Sequence, residues 1–539
     1  MAPVEDVAGA GESGAAAGHM GDEAPGVIDL YRSVLYGVRS TLDAARRRRL
    51  AIAVEVSIVV LYVLLRTADA GRPVLILWSL LAMAIAVVSP ISGLVILAAI
   101  APFSEPFTIT RQLGLKPFLV VAVGAGTAVR IASAIVIGQR SRPSVAAWRS
   151  RVGDRGRLFA TLAIAAACVI LLGTALGVVH TRLAFGRAAG MLAGETWLAG
   201  IGAGMIILVV GAWAGMSGTV RPVAAAVVSA LVGGAVSVAD YFDAGAVRGQ
   251  SFAWLVRPGR FEGRLTGIIP SPNGVGALLI APAAVLIAVA VLGRGLRLRV
   301  AAAVAVIPFA IALYVTYSRA ALIGLFLIAV VVVWRLRRAV GIGLLVVGLA
   351  GGILLLPRYL QVRSEALGGA GGAEVRPGDL LVASDAFRLR AWGAAGQMWL
   401  NAPLTGQGFM AYFYLHDAYG DPILRAPHNE WIRLFAEDGL FIGLAGAAFV
   451  CFTAAALSSG RGALGAGALG GFLGFAVAAS FNNPFGFVQV MVIACTITGI
   501  GLGRVLAARR AHGPPATGAE GPRAGVPAEE RSAPAPSPG

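Results

Sequence analysis

The chain has 539 residues, of which 58% are hydrophobic and 13% charged, with a mean hydropathy of +0.80. Soluble domains carry roughly 25% charged residues, so a mostly water-facing protein is excluded. The net charge of +17 does not indicate a nucleic-acid partner, because the arginines cluster in short segments between apolar runs, the positive-inside pattern of a membrane protein.

Residues 1–27 are Gly/Ala-rich and acidic and read as disordered, without the basic-then-apolar order of a signal peptide. Ile28, Tyr31, Leu35, Val38 and Leu42 recur at helical spacing, the pattern of a helix lying on a membrane surface, and Arg46 to Arg49 follow as a cytoplasmic anchor. Fourteen apolar segments then read as candidate spans: 50–66, 73–89, 91–103, 117–138, 158–179, 197–215, 222–239, 273–292, 300–317, 320–334, 339–356, 439–457, 463–481 and 485–507. With the N-terminus inside, alternate crossing places four basic connections in the cytoplasm: Arg140 to Arg157, Arg294 to Arg299, Arg335 to Arg338, and Arg509 with Arg510. The expected fold is all-α and polytopic, with about 12 to 14 spans and a long external helical loop. It divides into a cytoplasmic tail with an interfacial helix (1–49), a first membrane region (50–239), a second (240–356), the external loop (357–438), the last membrane helices (439–507) and a disordered cytoplasmic tail (508–539).

The loop is too long to be structureless in a compact protein. Ser384 reads as an N-cap, Phe387, Ala391, Ala394, Ala395 and Met398 follow at helical spacing, and Asn401 with Pro403 ends that helix. A second helix is expected from His428, after Pro427, to Gly439.

Several motifs have plain explanations. The Gly465-x-Gly467-x-x-Gly470 string matches a dinucleotide fingerprint but lies inside a span with no preceding strand. Close helix packing accounts for it, with Gly467 and Gly471 as the contact pair. Lys116 is the only lysine and precedes Pro117, so no Gly-Lys-Ser/Thr phosphate loop exists. Cys168, Cys451 and Cys495 have no metal-ligand spacing and read as small core residues. Arg130 and Glu55 lie near cytoplasmic span ends, where snorkelling suffices.

The outer face carries the chemistry. Arg264-Leu-Thr-Gly leads to Ser271-Pro272-Asn273, Ser318-Arg319-Ala320 stands at the outer end of a span, and Arg388 shares a helical face with Trp392. Pro403, Gly406-x-Gly408, Pro427-His428-Asn429 and Glu437-Asp438-Gly439 follow. Arginine holds phosphate bidentately and keeps its charge, so several could stabilise a lipid-linked pyrophosphate leaving group. No Asp-x-Asp metal motif occurs. A histidine at a helix N-terminus is kept neutral by the dipole and can accept a proton from a sugar hydroxyl. Taken singly, arginines at span ends are ordinary anchors, and Trp392, Trp399 and Trp431 fit an interfacial belt or sugar stacking.

In this order and spacing, residues 260 to 500 resemble the bacterial O-antigen ligase and O-antigen polymerase superfamily of integral-membrane glycan transferases. The resemblance implies transfer of a glycan from an undecaprenyl-pyrophosphate carrier at the outer side of the plasma membrane, in surface polysaccharide biosynthesis, with no metal or other cofactor. It makes Arg319 and Arg388 pyrophosphate ligands and His428 the base, with Arg264, Asn273, Asn429 and Trp392 binding substrate. The expected partners are the lipid-linked donor, a glycan, lipid or protein acceptor, and membrane lipid, with no nucleic acid. Ligase and polymerase differ in the acceptor and stay unseparated at this level. A non-catalytic transporter of lipid or glycan is the alternative of a different class, and it predicts mid-membrane charges and paired broken helices.

Overall fold

A computed structural model describes residues 27–103, 114–138, 155–242, 264–267, 269, 271–336 and 377–508, with single helical positions at 346, 350 and 354; side chains of 27–42, 44, 134–138 and 377–386 are not described. The expected disordered ends and the candidate span 339–356 lie outside these residues, apart from those single positions. The described residues are helical with no strand, and 11 helices are long and apolar enough to cross a membrane. Two shorter apolar helices, Arg72–Val88 and Pro90–Ile100, coincide with the second and third expected spans.

The chain divides into two compact units, Met1–Ser57 and Ile58–Gly539. The first consists, in its described part, of helix α1 (Val27–Thr67, which continues past the boundary). The expected interfacial helix is therefore not a separate element: no proline interrupts 27–67, and the helix runs through Arg46 to Arg49 without a break.

The second unit continues with α2 (Arg72–Val88), α3 (Pro90–Ile100), α4 (Leu115–Gly138), α5 (Arg155–Phe185), α6 (Arg187–Ala199), α7 (Ile201–Met216) and α8 (Arg221–Phe242). Then come α9 (Pro272–Leu292), α10 (Leu296–Val315), α11 (Arg319–Leu336), α12 (Pro377–Asn401), α13 (Ala411–Leu415), α14 (Glu430–Ser458), α15 (Gly462–Phe481) and α16 (Val488–Ala507). Where one span was expected at 197–215, the chain breaks at Gly200 (φ −127°, ψ −113°) into α6 and α7.

Small residues set the packing. Helices α7 and α16 run parallel with Gly204 against Met491 and Cys495, and Gly211 against Gly499; Gly215 and Gly503 pack on Ile500 and Ala212. A Cβ built on Gly211 would lie 3.3 Å from the Cα of Gly499, so the two backbones nearly touch. Gly467 and Gly471 pack on Val285 and Ala281 of α9, the contact expected of that motif. Helix α9 lies parallel to α11, with Gly276 beside Ser318 and Ala321, and Gly324 beside Ile280. Consequently α7, α9, α11 and α16 all begin at one end of the bundle, joined there by α14, whose Glu430 receives a hydrogen bond from Phe485 N–H. At the opposite end Arg335 donates to the carbonyls of Leu457 (3.0 Å) and Gly460 (2.7 Å), tying α11 to the end of α14. Arg130 reaches the Val88 carbonyl at the end of α2 from an exposed position, as a terminal anchor does.

Candidate functional site

Two groups of side chains stand at the end of the bundle where these five helices begin. Their N-terminal dipoles give that end a positive bias, which favours an anion.

The first group forms where α10 turns into α11. Tyr317 adopts φ +48°, and Ser318 is buried behind it. Arg264, itself buried, donates from Nε to the Thr316 carbonyl (2.9 Å) and from Nη2 to Asn273 Oδ1 (3.0 Å), while Leu265 N–H donates to the Val315 carbonyl (3.0 Å). Asn273 sits in the first turn of α9, which Ser271 caps by accepting from Gly274 N–H. Arg319 is the first residue of α11, half-buried. Arg264, Asn273 and the start of α11 are thus brought to one corner, and two of the guanidinium's donors are used to build it.

The second group surrounds His428. Helix α12 starts at Pro377, earlier than the expected Ser384, since proline is well suited to the first helical position. It ends at Asn401 as expected, and Ala391, Ala394, Ala395 and Met398 are its buried face. Trp392 donates from Nε1 to the Pro427 carbonyl (3.0 Å), so its indole holds the residue before the histidine. The helix after His428 begins at Glu430 rather than at His428, because Asn429 is the cap. The Asn429 side-chain oxygen accepts from Trp431 and Ile432 N–H, both at 3.1 Å. His428 lies just ahead of that cap in a left-handed conformation (φ +52°). Burial lowers its pKa, the nearby Arg388 guanidinium lowers it further, and Asp421 opposes both. Burial is the larger of the two causes that lower it. Arg388 and His428 are close enough to interact, while Trp392 and Asn429 fix the backbone on either side.

The Gly406-x-Gly408 and Glu437-x-Gly439 strings explain one another. Gly439 (φ +83°, ψ −176°) breaks α14 in the first third of its length, near the expected end of the second loop helix. A break orphans backbone groups, and the turn segment after Pro403 satisfies them. Gln407 N–H donates to the Ala436 carbonyl (3.1 Å), Gly408 N–H to the Glu437 carbonyl (2.7 Å), and Leu440 N–H to the Pro403 carbonyl (2.8 Å). Gly406 and Gly408 also have positive φ, and a Cβ on Gly406 would overlap the Glu437 carbonyl. Glu437 completes the latch by accepting from Met410 N–H (2.9 Å) and Tyr412 N–H (3.2 Å). These motif residues shape the loop.

Sequence reasoning left several contributors unassigned. Glu430, Arg433, Glu437 and Asp438 are all buried in the first turns of α14. Arg433 pairs with Glu430 (2.8 Å) and lies 3.9 Å from Glu437, and its guanidinium sits over the Phe409 ring. Their i, i+3 and i+4 spacing was the available signal. Tyr412 donates to Asp421 Oδ2 (2.7 Å), and its phenol is kept protonated by burial and by that bond. The turn Asn482 to Phe487 joins the two groups. Asn483 Nδ2 lies 3.4 Å from His428 Nδ1, Phe485 N–H donates to Glu430 Oε1 (2.9 Å), and the Phe487 ring packs beside Gly274 at the start of α9.

With this geometry in hand, comparison with known families gives one match: residues 302–448 fit the family described as O-antigen ligase. That match supports the O-antigen ligase superfamily for this part of the chain. The matched segment holds Arg319, Arg388, Trp392, His428 and Asn429, whereas Arg264, Asn273 and Asn483 lie outside it. No curated protein matches the chain. The matched family is of the glycan ligase or polymerase type, and the many candidate spans point to a multi-pass membrane protein.

Proposed function

We propose that this protein is an O-antigen ligase superfamily member that transfers a glycan from a polyprenyl-pyrophosphate carrier to an acceptor hydroxyl at the outer face of a bacterial plasma membrane. The observation that carries the reading is a half-buried histidine whose pKa is lowered by burial and by a neighbouring arginine, His428 and Arg388, at the end of the bundle where five helix N-termini gather. In this reading the acceptor oxygen attacks the anomeric carbon as the carbon–oxygen bond to the pyrophosphate breaks, inverting that centre. The hydroxyl proton goes to His428. The bonding pair leaves with the pyrophosphate, whose growing charge is met by Arg319, Arg388 and the helix N-termini. Arg388 thus serves twice, since the same charge that receives the leaving group keeps His428 a free base. Arg264 and Asn273 shape the donor side, and Trp392 and Asn429 hold the histidine. No cofactor is needed, the termini are cytoplasmic, and the partners are the lipid-linked donor, a glycan, lipid or protein acceptor, and membrane lipid.

The test is complementation of a deletion strain with wild type, Arg319→Ala, Arg388→Lys or His428→Ala at matched expression, comparing lipid-linked and surface glycans by size. Single lipid-linked units accumulating in the variants identify a polymerase, and long lipid-linked chains that reach no acceptor identify a ligase. Normal surface glycan in all three, where the deletion changes it, ends the catalytic reading in favour of transport.

A further inference from the structure

The turn between α15 and α16 carries Asn482-Asn483-Pro484, which belongs to neither the matched segment nor the motifs of the loop. Phe485 N–H anchors this turn to Glu430, and Gly486 and Phe487 N–H close it on the carbonyls of Asn483 (3.2 Å) and Pro484 (3.1 Å). The result is a fixed platform that presents the Asn483 carboxamide edge-on to His428 Nδ1 at 3.4 Å. With its nitrogen toward the ring, Asn483 leaves its own Oδ1 buried without a hydrogen-bond partner among the described residues. A half-turn of the amide exchanges the two ends, giving that oxygen a donor in the ring N–H and placing the NH2 group where the oxygen stood.

We propose that Asn483 is a positioning residue for His428: its Oδ1 accepts the Nδ1–H and thereby fixes the tautomer in which Nε2 carries the free lone pair. The other groups around the ring do not compete for Nδ1. Arg388 on α12 is a cation and offers no acceptor. Asp421 has both carboxylate oxygens engaged, Oδ2 by Tyr412 and Oδ1 by Ile423 and Leu424 N–H. Glu430, on the first turn of α14, directs its carboxylate to Phe485 N–H and Arg433. A neutral amide in this place orients the ring without favouring the imidazolium, as a carboxylate would. Its catalytic consequence rests on the reading of His428 as the base; the tautomer itself does not.

Full-length protein labelled with 15N-histidine, in detergent or nanodiscs, reads the tautomer directly, with the His428 signals identified by their loss in His428→Gln. Wild type is expected to show a protonated Nδ1 and a bare Nε2. Asn483→Leu should mix the tautomers. Asn483→Asp, nearly isosteric, should raise the pH midpoint of the ring by one unit or more, a tenfold change in the imidazolium ratio. The wild-type tautomer decides the matter even if the leucine variant does not fold, and the aspartate variant, which preserves shape, shows that position 483 faces the ring. A wild-type ring protonated at Nε2, or a midpoint unmoved in Asn483→Asp, overturns the inference. If the tautomer shifts as expected while His428→Ala still makes normal surface glycan, the assignment stands and the catalytic reading of His428 fails.

Discussion

The α7–α16 interface and the first turns of α14 are both deeply buried, and they are built by opposite means. Along α7 and α16 glycines at 204, 211, 215, 499 and 503 let two backbones meet with little side chain between them. At the start of α14, three carboxylates and one guanidinium are buried together, and both Asp438 oxygens have no hydrogen-bond partner among the described residues. In a membrane, where apolar side chains gain nothing by leaving lipid for one another, close backbone contact is a source of stability. Buried charge is a cost that persists where it specifies geometry. The comparison separates a scaffold that holds the helices parallel from a region organised to keep the 403–412 segment and His428 in place.

The largest expected effect tests the scaffold. Gly503→Val drives a branched side chain into the Ala212 carbonyl, and more than about 3 kcal/mol should be lost, enough to remove folded protein from size-exclusion profiles. Normal yield and thermal stability would show that the helices can part and that the backbone contact matters little. Next, Arg388→Ala sharpens the electrostatic side. Burial and the Arg388 cation both hold the His428 pKa below its usual 6.5, so removing the cation raises it part of the way back. The acidic limb of the transfer rate should therefore move to higher pH, and an unmoved limb would detach Arg388 from the histidine. Glu437→Gln keeps the shape but weakens the latch at Met410 and Tyr412 N–H. It should cost roughly 1–3 kcal/mol, read as a lower melting temperature. The smallest effect belongs to Trp392→Phe, which loses only the bond to the Pro427 carbonyl, about 1 kcal/mol, and should lower the rate without changing stability much. A Trp392→Phe variant with full rate but poor donor binding would move the indole from holding the backbone to stacking on sugar.

The membrane helices were largely legible because apolar length is a strong signal, and even the short run near 91–103 proved to be a helix. The break at Gly200 was not legible: α6 and α7 share one apolar stretch, and only contact with the Phe485 carbonyl shows why the glycine is needed. Arg388, Trp392 and His428 were singled out by order and spacing, and the structure sets Trp392 against the Pro427 carbonyl and Arg388 near His428. Asn483 was missed because it acts across 55 residues of chain and looks like an ordinary turn asparagine. The strings around Gly406, Gly408 and Gly439 were visible as motifs, but their role in repairing a broken helix depends on hydrogen bonds between distant segments.

The parallel seam of α7 and α16 also bears on how the protein is made. Helix α7 enters the bilayer long before α16 has been synthesised, so its row of glycines faces lipid or a provisional neighbour until α16 arrives. A chain cut short before Asn482 lacks both that seam and the Asn482–Phe487 turn at its head. Completion of the bundle and completion of the histidine's surroundings are thus one event in biosynthesis, and a truncated product is left with an open groove for membrane quality control to detect.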